Sequence, residues 1–458
     1  MPTANVFAGN SAPLLQTDVL SMGQPEVPPS NERRTLVEAL IASTVGTTIE
    51  WYDFFLYGLA ASVVFPKLFF PEYDPLAGTL LSFGTYTVGF IFRPLGGAIF
   101  GYLGDRVGRK ATLIMTLLLM GISTMVIGLL PTYDSIGFAA PVLLTVLRAL
   151  QGLGVGGEWG GSVLLALEFG HKGKRGFYAS WPQTGIPLGL LLSAGVLGLM
   201  QSILDDSDFY AWGWRIPFLL SGLLIILGFL IRARLTETPL FKKVRESGQI
   251  SRTPVRETLR KHWRTVLLTA GARLSENTCF YLFTAFIITY ATAELGMEKG
   301  FILRCIMITA ALEFFAIPIY GLLSDYWSRK GMFTLGCLIQ ILFAFPYFML
   351  LDTRDPLIVG LAIIVSLLGA HAILISIVGS FFPELFGTRL RYTGASLGYQ
   401  LTGPLGGGLA PVIAVSLMHA FPHQYWPIAL YIILISAVSL ACTYYLAETS
   451  RKDLTLDD

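Results

Sequence analysis

Long apolar segments separated by short polar connectors fill most of the 458-residue chain. A helix needs about 20 apolar residues to cross a membrane, and twelve segments of that length can be placed. They fall roughly at residues 36–65, 76–103, 111–130, 141–168, 177–203, 215–235, 264–292, 300–323, 332–351, 357–382, 393–419 and 428–447. The segments are continuously apolar and lack the alternation of membrane β-strands. The pattern therefore predicts an all-α membrane protein with twelve transmembrane helices.

Charged residues are scarce along the chain. Asp, Glu, Lys and Arg make up 14% of the sequence and apolar residues 53%, whereas soluble domains carry about 25% charged residues. So few charges exclude a soluble protein and a nucleic-acid-binding surface. A net charge of +2 is also too small to indicate a polyanionic partner. The expected surroundings are a lipid bilayer.

The positions of the 32 Lys and Arg residues predict the orientation in the membrane. With the N-terminus in the cytoplasm, 24 of them lie on the cytoplasmic side, at most 5 on the opposite side and 3 inside spans. Cytoplasmic loops of inner-membrane proteins are enriched in Lys and Arg. The distribution therefore predicts that both termini are cytoplasmic.

Two cytoplasmic motifs occur twice. The frame G-x-x-x-D-x-x-x-R-K is found at residues 101–110 and 321–330, and a Glu and an Arg seven residues apart recur with nearly the same offset. The repeats predict two homologous six-helix bundles, an architecture in which transporters bind substrate between the halves. Acids and bases at adjoining helix ends can hold one half against the other; a positive cluster that only sets topology is the alternative. The predicted gate consists of Asp105, Arg106, Arg109, Glu168, Arg175, Asp325, Arg329, Glu384 and Arg391.

The repeat divides the chain into segments. Residues 1–34 are polar and lack a signal-peptide core, so they are predicted to form a disordered cytoplasmic tail. Residues 35–235 and 264–447 form the two bundles, 236–263 a cytoplasmic linker and 448–458 a cytoplasmic tail. In the linker, Thr253-Pro254 is a helix-start signal, followed by Val255, Leu259 and Trp263 at four-residue spacing. This predicts a helix on the inner leaflet; a solvated basic linker is the alternative.

Two acids lie within the first predicted span. Glu50 and Asp53 are three residues apart, which places both on one helix face. Charges inside a membrane normally pair or line a cavity. Two close carboxylates also repel, so one of them can bind a proton near neutral pH. Both are predicted proton-coupling residues; ion pairs that never titrate are the alternative.

The fourth predicted span joins polar groups to a glycine-rich face. Gly152, Gly156 and Gly160 are four residues apart, a spacing that lets neighbouring helices approach closely. Arg148 suits two roles, because it can hold a substrate carboxylate with two hydrogen bonds or stabilise the ionised form of a neighbouring acid. The predicted substrate-binding residues of this span are Arg148, Gln151, Glu158 and Trp159.

Further polar side chains lie inside other spans. Arg273 and Glu276 are three residues apart in the seventh span, and an ion pair within the helix is the alternative to a role in the site. His371 stands alone in the tenth span, where a packed, hydrogen-bonded histidine is the alternative to a functional one. The remaining candidates for the substrate site are therefore Arg93, Arg273, Glu276, Tyr281 and His371.

These motifs resemble a known family. The frame at 101–110 is similar to the signature of the major facilitator superfamily, although Tyr326 and Ser328 replace the usual Arg and Gly in the second copy. The segments at 49–55, 92–97, 151–161, 213–218 and 383–394 resemble the metabolite:proton symporter family. The likeness runs from about residue 35 to 449. It implies the fold of that superfamily and a transporter of the bacterial inner membrane.

Members of this family import a small polar metabolite, such as shikimate, α-ketoglutarate, citrate, proline or glycine betaine, with a proton. We expect proton symport of a small organic acid by alternating access, because three intramembrane arginines favour an anionic substrate. An osmolyte symporter for proline or glycine betaine is the alternative. The sequence contains no nucleotide-binding loop that would indicate ATP-driven transport. It also contains no metalloprotease or hydrolase motif that would indicate an enzyme. We expect a monomer that uses no metal and no cofactor besides the proton as coupling ion.

Overall fold

The structure is a computed structural model that describes residues 30–171 and 173–452. Outside these residues lie most of the predicted N-terminal tail, the end of the C-terminal tail and Lys172, which was counted among the cytoplasmic Lys and Arg residues. The described chain is helical and contains no strand.

The long helices and two linker helices are numbered here in chain order. They are α1 (Ser30–Val63), α2 (Pro75–Arg106), α3 (Arg109–Leu129), α4 (Ala139–Phe169), α5 (Arg175–Ile203), α6 (Asp206–Ala233), α7 (Pro239–Glu246), α8 (Pro254–Lys261), α9 (residues 263–293), α10 (Lys299–Tyr326), α11 (Arg329–Leu351), α12 (Pro356–Glu384), α13 (Arg391–Ala420) and α14 (Trp426–Tyr445). Each of the twelve predicted spans corresponds to one long helix, and α7 and α8 lie in the linker.

Nine of the long helices in the described chain are apolar enough to cross a membrane by length and composition alone. The other three, α1, α2 and α9, are equally long but contain buried charged residues. These residues are Glu50, Asp53, Arg93, Asp105, Arg273 and Glu276. The helices with the weakest hydrophobic signal are thus among those that carry the candidate site.

Glycines bring α2 and α4 into direct backbone contact. A Cβ atom on Gly152 would lie 2.2 Å from the Gly89 carbonyl oxygen, and one on Gly156 would lie 2.2 Å from the Arg93 carbonyl oxygen. The glycine stripe of α4 therefore serves helix packing. This close approach sets Arg93 of α2 beside the helix that carries Arg148.

One end of the bundle, which we call the basic face, gathers the connectors at residues 107–108, 170–171, 173–174, 234–262, 327–328 and 385–390. Lys110 Nζ donates a hydrogen bond to the Ala233 carbonyl at 2.8 Å, and Arg389 Nη2 donates to Glu257 Oε2 at 3.2 Å. The two halves also meet at this face, where α2 packs on α13 and α10 packs on α5. It is the side that the charge distribution predicts to be cytoplasmic.

The linker contains one predicted helix and one that the sequence analysis missed. Helix α8 begins at Pro254 as expected, and Leu259 and Trp263 are each about half exposed. Helix α7 begins at Pro239 after Thr238, the same helix-start pair, and buries Phe241. The position of α8 on a membrane leaflet stays a prediction.

Candidate functional site

Arg148 lies among aromatic rings and forms no ion pair with any described residue. Its guanidinium carbon is 4.4 Å from the ring centre of Phe54, 4.3 Å from that of Tyr57 and 4.6 Å from that of Tyr86. Nη1 donates a hydrogen bond to Gln151 Oε1 at 3.1 Å, whereas the buried Nη2 has no hydrogen-bond partner. Because an unpaired buried charge is costly, this position is suited to bind an anion.

Arg93 of α2 shares one of these rings. Its guanidinium carbon is 4.2 Å from the ring centre of Phe54 and 4.8 Å from that of Phe90. Since Arg93 and Arg148 both contact the Phe54 ring, their guanidinium carbons are at most about 8.6 Å apart. Nε and Nη2 of Arg93 have no hydrogen-bond partner, although the side chain is only 1% exposed. Within the described chain, two buried cations therefore flank one ring without a carboxylate partner.

Asp53 is buried between α1 and α6. Its Oδ1 accepts a hydrogen bond from the Ser221 hydroxyl at 2.6 Å, and its Oδ2 has no partner. Gln151, which accepts a bond from Arg148, donates to Thr124 Oγ1 at 2.7 Å, and Thr124 lies beside the Asp53 carboxylate. Two polar side chains thus connect the predicted proton carrier with the predicted substrate arginine.

Glu50 lies one helical turn before Asp53 and is 2% exposed. Its Oε2 has no hydrogen-bond partner. Its charged neighbours include Arg93 of the first half and Arg273 of the second, both beyond ion-pair distance within the described structure. Glu50 therefore faces the boundary between the halves, whereas Asp53 is held inside the first half.

Glu158 belongs to an ion pair within the first half. It is bound by Arg232 of α6 and accepts hydrogen bonds from Thr116 at 2.7 Å and from Ser162 at 3.0 Å. Arg232 lies in the last turn of α6, and its side chain is 1% exposed. Both oxygens of Glu158 are already occupied, so its predicted contact with substrate has no support in this geometry.

Trp159 crosses the boundary between the halves. Its ring stacks on Tyr399 of α13, with the ring centres 3.6 Å apart and the planes 9° from parallel. Its Nε1 donates a hydrogen bond to Gln183 Oε1 at 3.2 Å. The Arg273 guanidinium carbon lies 3.3 Å from the centre of the same Tyr399 ring. A stack of three side chains therefore joins α4 to α13 and α9.

The charged residues of the second half are paired. Arg273 Nε is 3.2 Å from Glu276 Oε2, and Nη1 donates a hydrogen bond to the Tyr399 carbonyl at 2.8 Å. Glu276 Oε1 is also 3.4 Å from His371 Nε2, and His371 Nδ1 is 2.8 Å from Glu313 Oε1. The alternative considered for the seventh span, an ion pair within the helix, is thus present. Together with His371 and Glu313 it forms a chain of four side chains.

Tyr281 of α9 reaches the rings of the first half. Its ring centre is 5.5 Å from that of Phe90, and its buried hydroxyl has no hydrogen-bond partner. The structure therefore brings one group of predicted site residues together and sets a second group apart in the other half. The first group is Asp53, Arg93, Arg148, Gln151 and Tyr281, and the second is Arg273, Glu276 and His371.

At the basic face, Asp105 of the first half caps α13 of the second. Its Oδ1 accepts the backbone N–H of Tyr392 at 3.2 Å, and its Oδ2 accepts that of Thr393 at 2.9 Å. Arg109 lies 3.5 Å from Asp105 and 3.6 Å from Glu168. A carboxylate is favourable at a helix N-terminus, so Asp105 attaches one half to the other.

The second copy of the motif makes the same contacts in the opposite direction. Asp325 accepts the backbone N–H groups of Gly176 at 2.8 Å and of Phe177 at 2.9 Å, at the start of α5. Arg329 lies 2.7 Å from Asp325 and 3.3 Å from Glu384. The duplicated motif therefore forms two equivalent contacts between the halves.

The other predicted gate residues differ in burial. Arg391 is buried with Nη1 3.5 Å from Glu168 Oε1, and Arg175 Nη1 donates a hydrogen bond to the Lys452 carbonyl at 2.8 Å. Arg106 is exposed and contacts the Tyr102 hydroxyl. It lies outside the buried contacts between the halves.

A third repeat, Leu-x-Glu-Thr, occurs at residues 235–238 and 446–449 and was not among the predicted motifs. In each copy the Glu side chain accepts the backbone N–H of the motif arginine, Arg109 or Arg329, at 3.1 Å. The Thr hydroxyl of each copy donates to the buried glutamate of its own half. The four residues are Glu237, Thr238, Glu448 and Thr449. The repeated letters, at an offset close to those of the other repeats, were the available signal.

Comparison with protein families matches residues 46–411 to the Major Facilitator Superfamily. This chain belongs to that superfamily. It is 40% identical over 417 residues to the shikimate transporter of Escherichia coli (strain K12), covering 90% of this chain and 95% of the relative. It is 33% identical over 430 residues to the proline/betaine transporter of the same strain, covering 92% and 85%.

Its fold is similar to that of the proton:xylose symporter XylE bound to 6-bromo-6-deoxy-D-glucose, with a TM-score of 0.72 and 16% identity. The match covers 93% of this chain and 98% of that structure. Family and fold confirm the predicted architecture of twelve helices in two bundles. The relatives are transporters, so the prediction of a membrane transporter rather than an enzyme is confirmed.

Proposed function

We propose that this superfamily member is a proton-coupled symporter that imports a small organic acid by alternating access. The observation that carries the proposal is the pair of buried guanidinium groups of Arg93 and Arg148, which lie 4.2 and 4.4 Å from the centre of the same Phe54 ring. Neither forms an ion pair with any described residue, and both have nitrogen atoms without a hydrogen-bond partner. The shikimate transporter relative supports the same substrate class.

An anionic substrate explains why two cations stay unpaired. Burying a charge without a partner is unfavourable, and a guanidinium binds a carboxylate with two charge-assisted hydrogen bonds. A carboxylate between Arg93 and Arg148 would supply the missing acceptor. The rings of Phe54, Tyr86 and Phe90 would pack on the apolar part of a small acid, and the free Tyr281 hydroxyl would bind a polar substituent.

Asp53 is the proposed proton carrier. One of its oxygens is bound by Ser221 and the other is free to hold a proton. Its link to Arg148 through Gln151 and Thr124 provides a physical basis for coupling. When substrate engages Arg148, the charge that Asp53 experiences changes, and with it the affinity of Asp53 for a proton. Glu50 is the second candidate, since it is equally buried and has a free oxygen.

The osmolyte alternative has one observation in its favour besides the proline/betaine transporter relative. Aromatic rings bind quaternary ammonium groups through cation–π contacts, and several such rings line this site. Arg93 and Arg148 already lie over the Phe54 ring, however. A further cation there would be repelled, so we favour the organic acid.

Location and orientation are part of the proposal. The excess of Lys and Arg in connectors on the basic face supports a cytoplasmic basic face in a bacterial inner membrane. Both halves of a single chain supply the site and the contacts at the basic face. We therefore take the monomer as the transporting unit.

The first test measures uptake of labelled organic acids and betaine into proteoliposomes with and without an imposed pH gradient. Arg148→Lys should reduce uptake of the preferred acid about 10- to 100-fold, because Lys cannot replace the planar two-point contact. Arg304→Lys is the matched control, since Arg304 is exposed and 3.7 Å from Glu298. Uptake that is inhibited by betaine and not by carboxylates would select the osmolyte alternative.

The second test addresses coupling. Asp53→Asn should abolish accumulation against a gradient and retain exchange of labelled for unlabelled substrate, because the neutral side chain imitates the protonated acid. Asp134→Asn, at an exposed position, is the control. Full accumulation by the Asp53 variant would remove Asp53 from the mechanism, and uptake that ignores the pH gradient would reject proton coupling.

A further inference from the structure

Three titratable side chains that the proposed mechanism does not use meet inside the second half. His371 of α12 contacts Glu276 of α9 through Nε2 at 3.4 Å and Glu313 of α10 through Nδ1 at 2.8 Å. All three residues are at most 3% exposed. We call this group the second-half triad.

The protonation of the two imidazole nitrogens determines how many protons the triad holds. A neutral imidazole carries one N–H and presents a lone pair at its other nitrogen. Here each ring nitrogen faces a carboxylate oxygen. A neutral ring between two ionised carboxylates would therefore direct a lone pair at a negative oxygen. This geometry requires one further proton, either on His371 or on one of the two glutamates.

We infer that the second-half triad is a proton-binding site of the transport cycle, separate from Asp53. It goes beyond the proposed function, which assigns a single proton to the first half. In the arrangement described here, with the basic face closed, the triad is loaded with its proton.

The surrounding charges balance only in the loaded form. Arg273 is the fourth charged residue of the chain and lies 3.2 Å from Glu276. With one added proton on the triad, the net charge of these four residues is zero, whichever of the three side chains holds it; without that proton, the net charge is −1. Loss of the proton is therefore costly until water reaches the triad.

No other charged group lies along the middle of α10, α11 or α12, and across the boundary between the halves Glu50 is a charged neighbour of Arg273. Helix α11 carries no charged residue or histidine from 331 to 351, and α12 carries none besides His371 from 356 to 383. The remaining charged residues of α10 are near its ends, namely Lys299, Arg304 and Asp325. The proton thus depends on the triad and on Arg273.

The Phe280 ring connects the triad with the first half of the transporter. The Phe280 ring lies between the halves, 4.7 Å from the His371 ring and 6.4 Å from the Trp51 ring, centre to centre. His371 also ends a π-helical turn at Leu367–His371. Such turns are frequent at functional sites. Separation of the halves would expose this side of the triad and release the proton to water.

The decisive experiment measures protons moved per substrate in proteoliposomes. His371→Gln should lower this ratio by one, with exchange of labelled for unlabelled substrate retained, because exchange requires no net proton movement. His423→Gln is the matched control, since His423 forms an exposed contact with Glu294 at 3.0 Å. An unchanged ratio in a His371 variant that still transports would overturn the inference.

A measurement on the wild type keeps the inference testable if His371→Gln does not fold or if no organic acid is transported. At about pH 8, above the ordinary histidine pKa of about 6.5, an imidazolium signal should persist in protein with ¹⁵N-labelled histidine. Alternatively, a carboxylic acid stretching band should be present and disappear in Glu276→Gln or in Glu313→Gln. Absence of both signals would overturn the inference, whereas their presence without transport would reject only the proposed function.

Discussion

Asp105 and Asp325 each accept two backbone N–H groups from the opposite half, at distances between 2.8 and 3.2 Å. At the centre of the molecule the halves no longer correspond. The first half keeps Arg93 and Arg148 without an ion pair, whereas the second half pairs Arg273 with Glu276 and continues the chain to His371.

The difference shows which part of a duplicated fold is free to diverge. Each half must bind the other at the basic face, so the helix caps and their arginines are kept in both copies. The centres, which we propose to bind substrate and protons, have no such constraint. We therefore assign the unpaired cations of the first half to substrate and the paired groups of the second half to a proton.

The strongest test of this comparison removes a paired arginine and an unpaired one. Arg232→Met leaves Glu158 as an uncompensated buried charge, which should lower the free energy of unfolding by about 3–5 kcal/mol. Arg148→Met removes a cation without an acidic partner and should cost much less stability, although it abolishes transport. Denaturant titration in detergent micelles measures both.

The double variant Arg232→Met/Glu158→Leu sharpens the result. It should recover part of the lost stability, because neither buried charge then remains and the two single effects are not additive. Equal losses in Arg232→Met and Arg148→Met would contradict the division into paired and unpaired arginines.

The second prediction compares equivalent glycines of the repeat. A Cβ on Gly321 would lie 2.6 Å from the Gly176 carbonyl oxygen, and one on Gly101 would lie 2.9 Å from Thr393 Cα. Overpacking typically costs about 1–3 kcal/mol, here only while the basic face is closed. Both alanine variants should therefore shift the equilibrium towards an open basic face, and Gly321→Ala should shift it further.

Distances between spin labels on Val107 and Trp327, one exposed residue from each half, report this opening. Gly198→Ala is the control, because no atom lies within 4 Å of the added methyl group. Unchanged distances in both variants would show that close packing at the basic face does not set the equilibrium.

The sequence was sufficient for the fold and for part of the site. Hydropathy depends on local composition alone, so all twelve helices could be placed, and the repeats located the contacts at the basic face. Pairing depends on residues distant in the chain. The partner of Glu158 is Arg232, 74 positions later, and no local spacing connects the two residues.

The same reason explains what was missed around His371. Its two acidic partners come from α9 and α10, and Glu313 is a lone acid in an otherwise apolar run. No spacing rule connects three single residues on three helices. The Leu-x-Glu-Thr repeat differs in this respect, because both copies can be identified in the sequence without the structure.

The smallest expected effect is on stability and concerns the linker, which follows the first half and has no counterpart after the second. Hydrogen bonds from Lys261 and Ser251, with Arg389 nearby, hold the pKa of Glu257 below its ordinary value. A lowered pKa in the folded state stabilises at neutral pH, and this contribution is lost as the pH falls through that pKa. Because the pair with Arg389 at 3.2 Å is partly exposed, we expect less than about 1 kcal/mol.

Glu257→Gln should therefore be slightly less stable than the wild type at about pH 7. The difference should shrink once the pH falls below the ordinary Glu pKa of about 4.3 and vanish only below the lowered pKa of Glu257 in the folded protein. Added salt should reduce the difference at pH 7 as well, since exposed charges are screened. A difference that persists at low pH would mean that packing of α8, rather than charge, attaches the linker to the second half. The linker that follows the first half would then be attached to the second half by an apolar contact of α8. This contact is not part of the duplicated motifs.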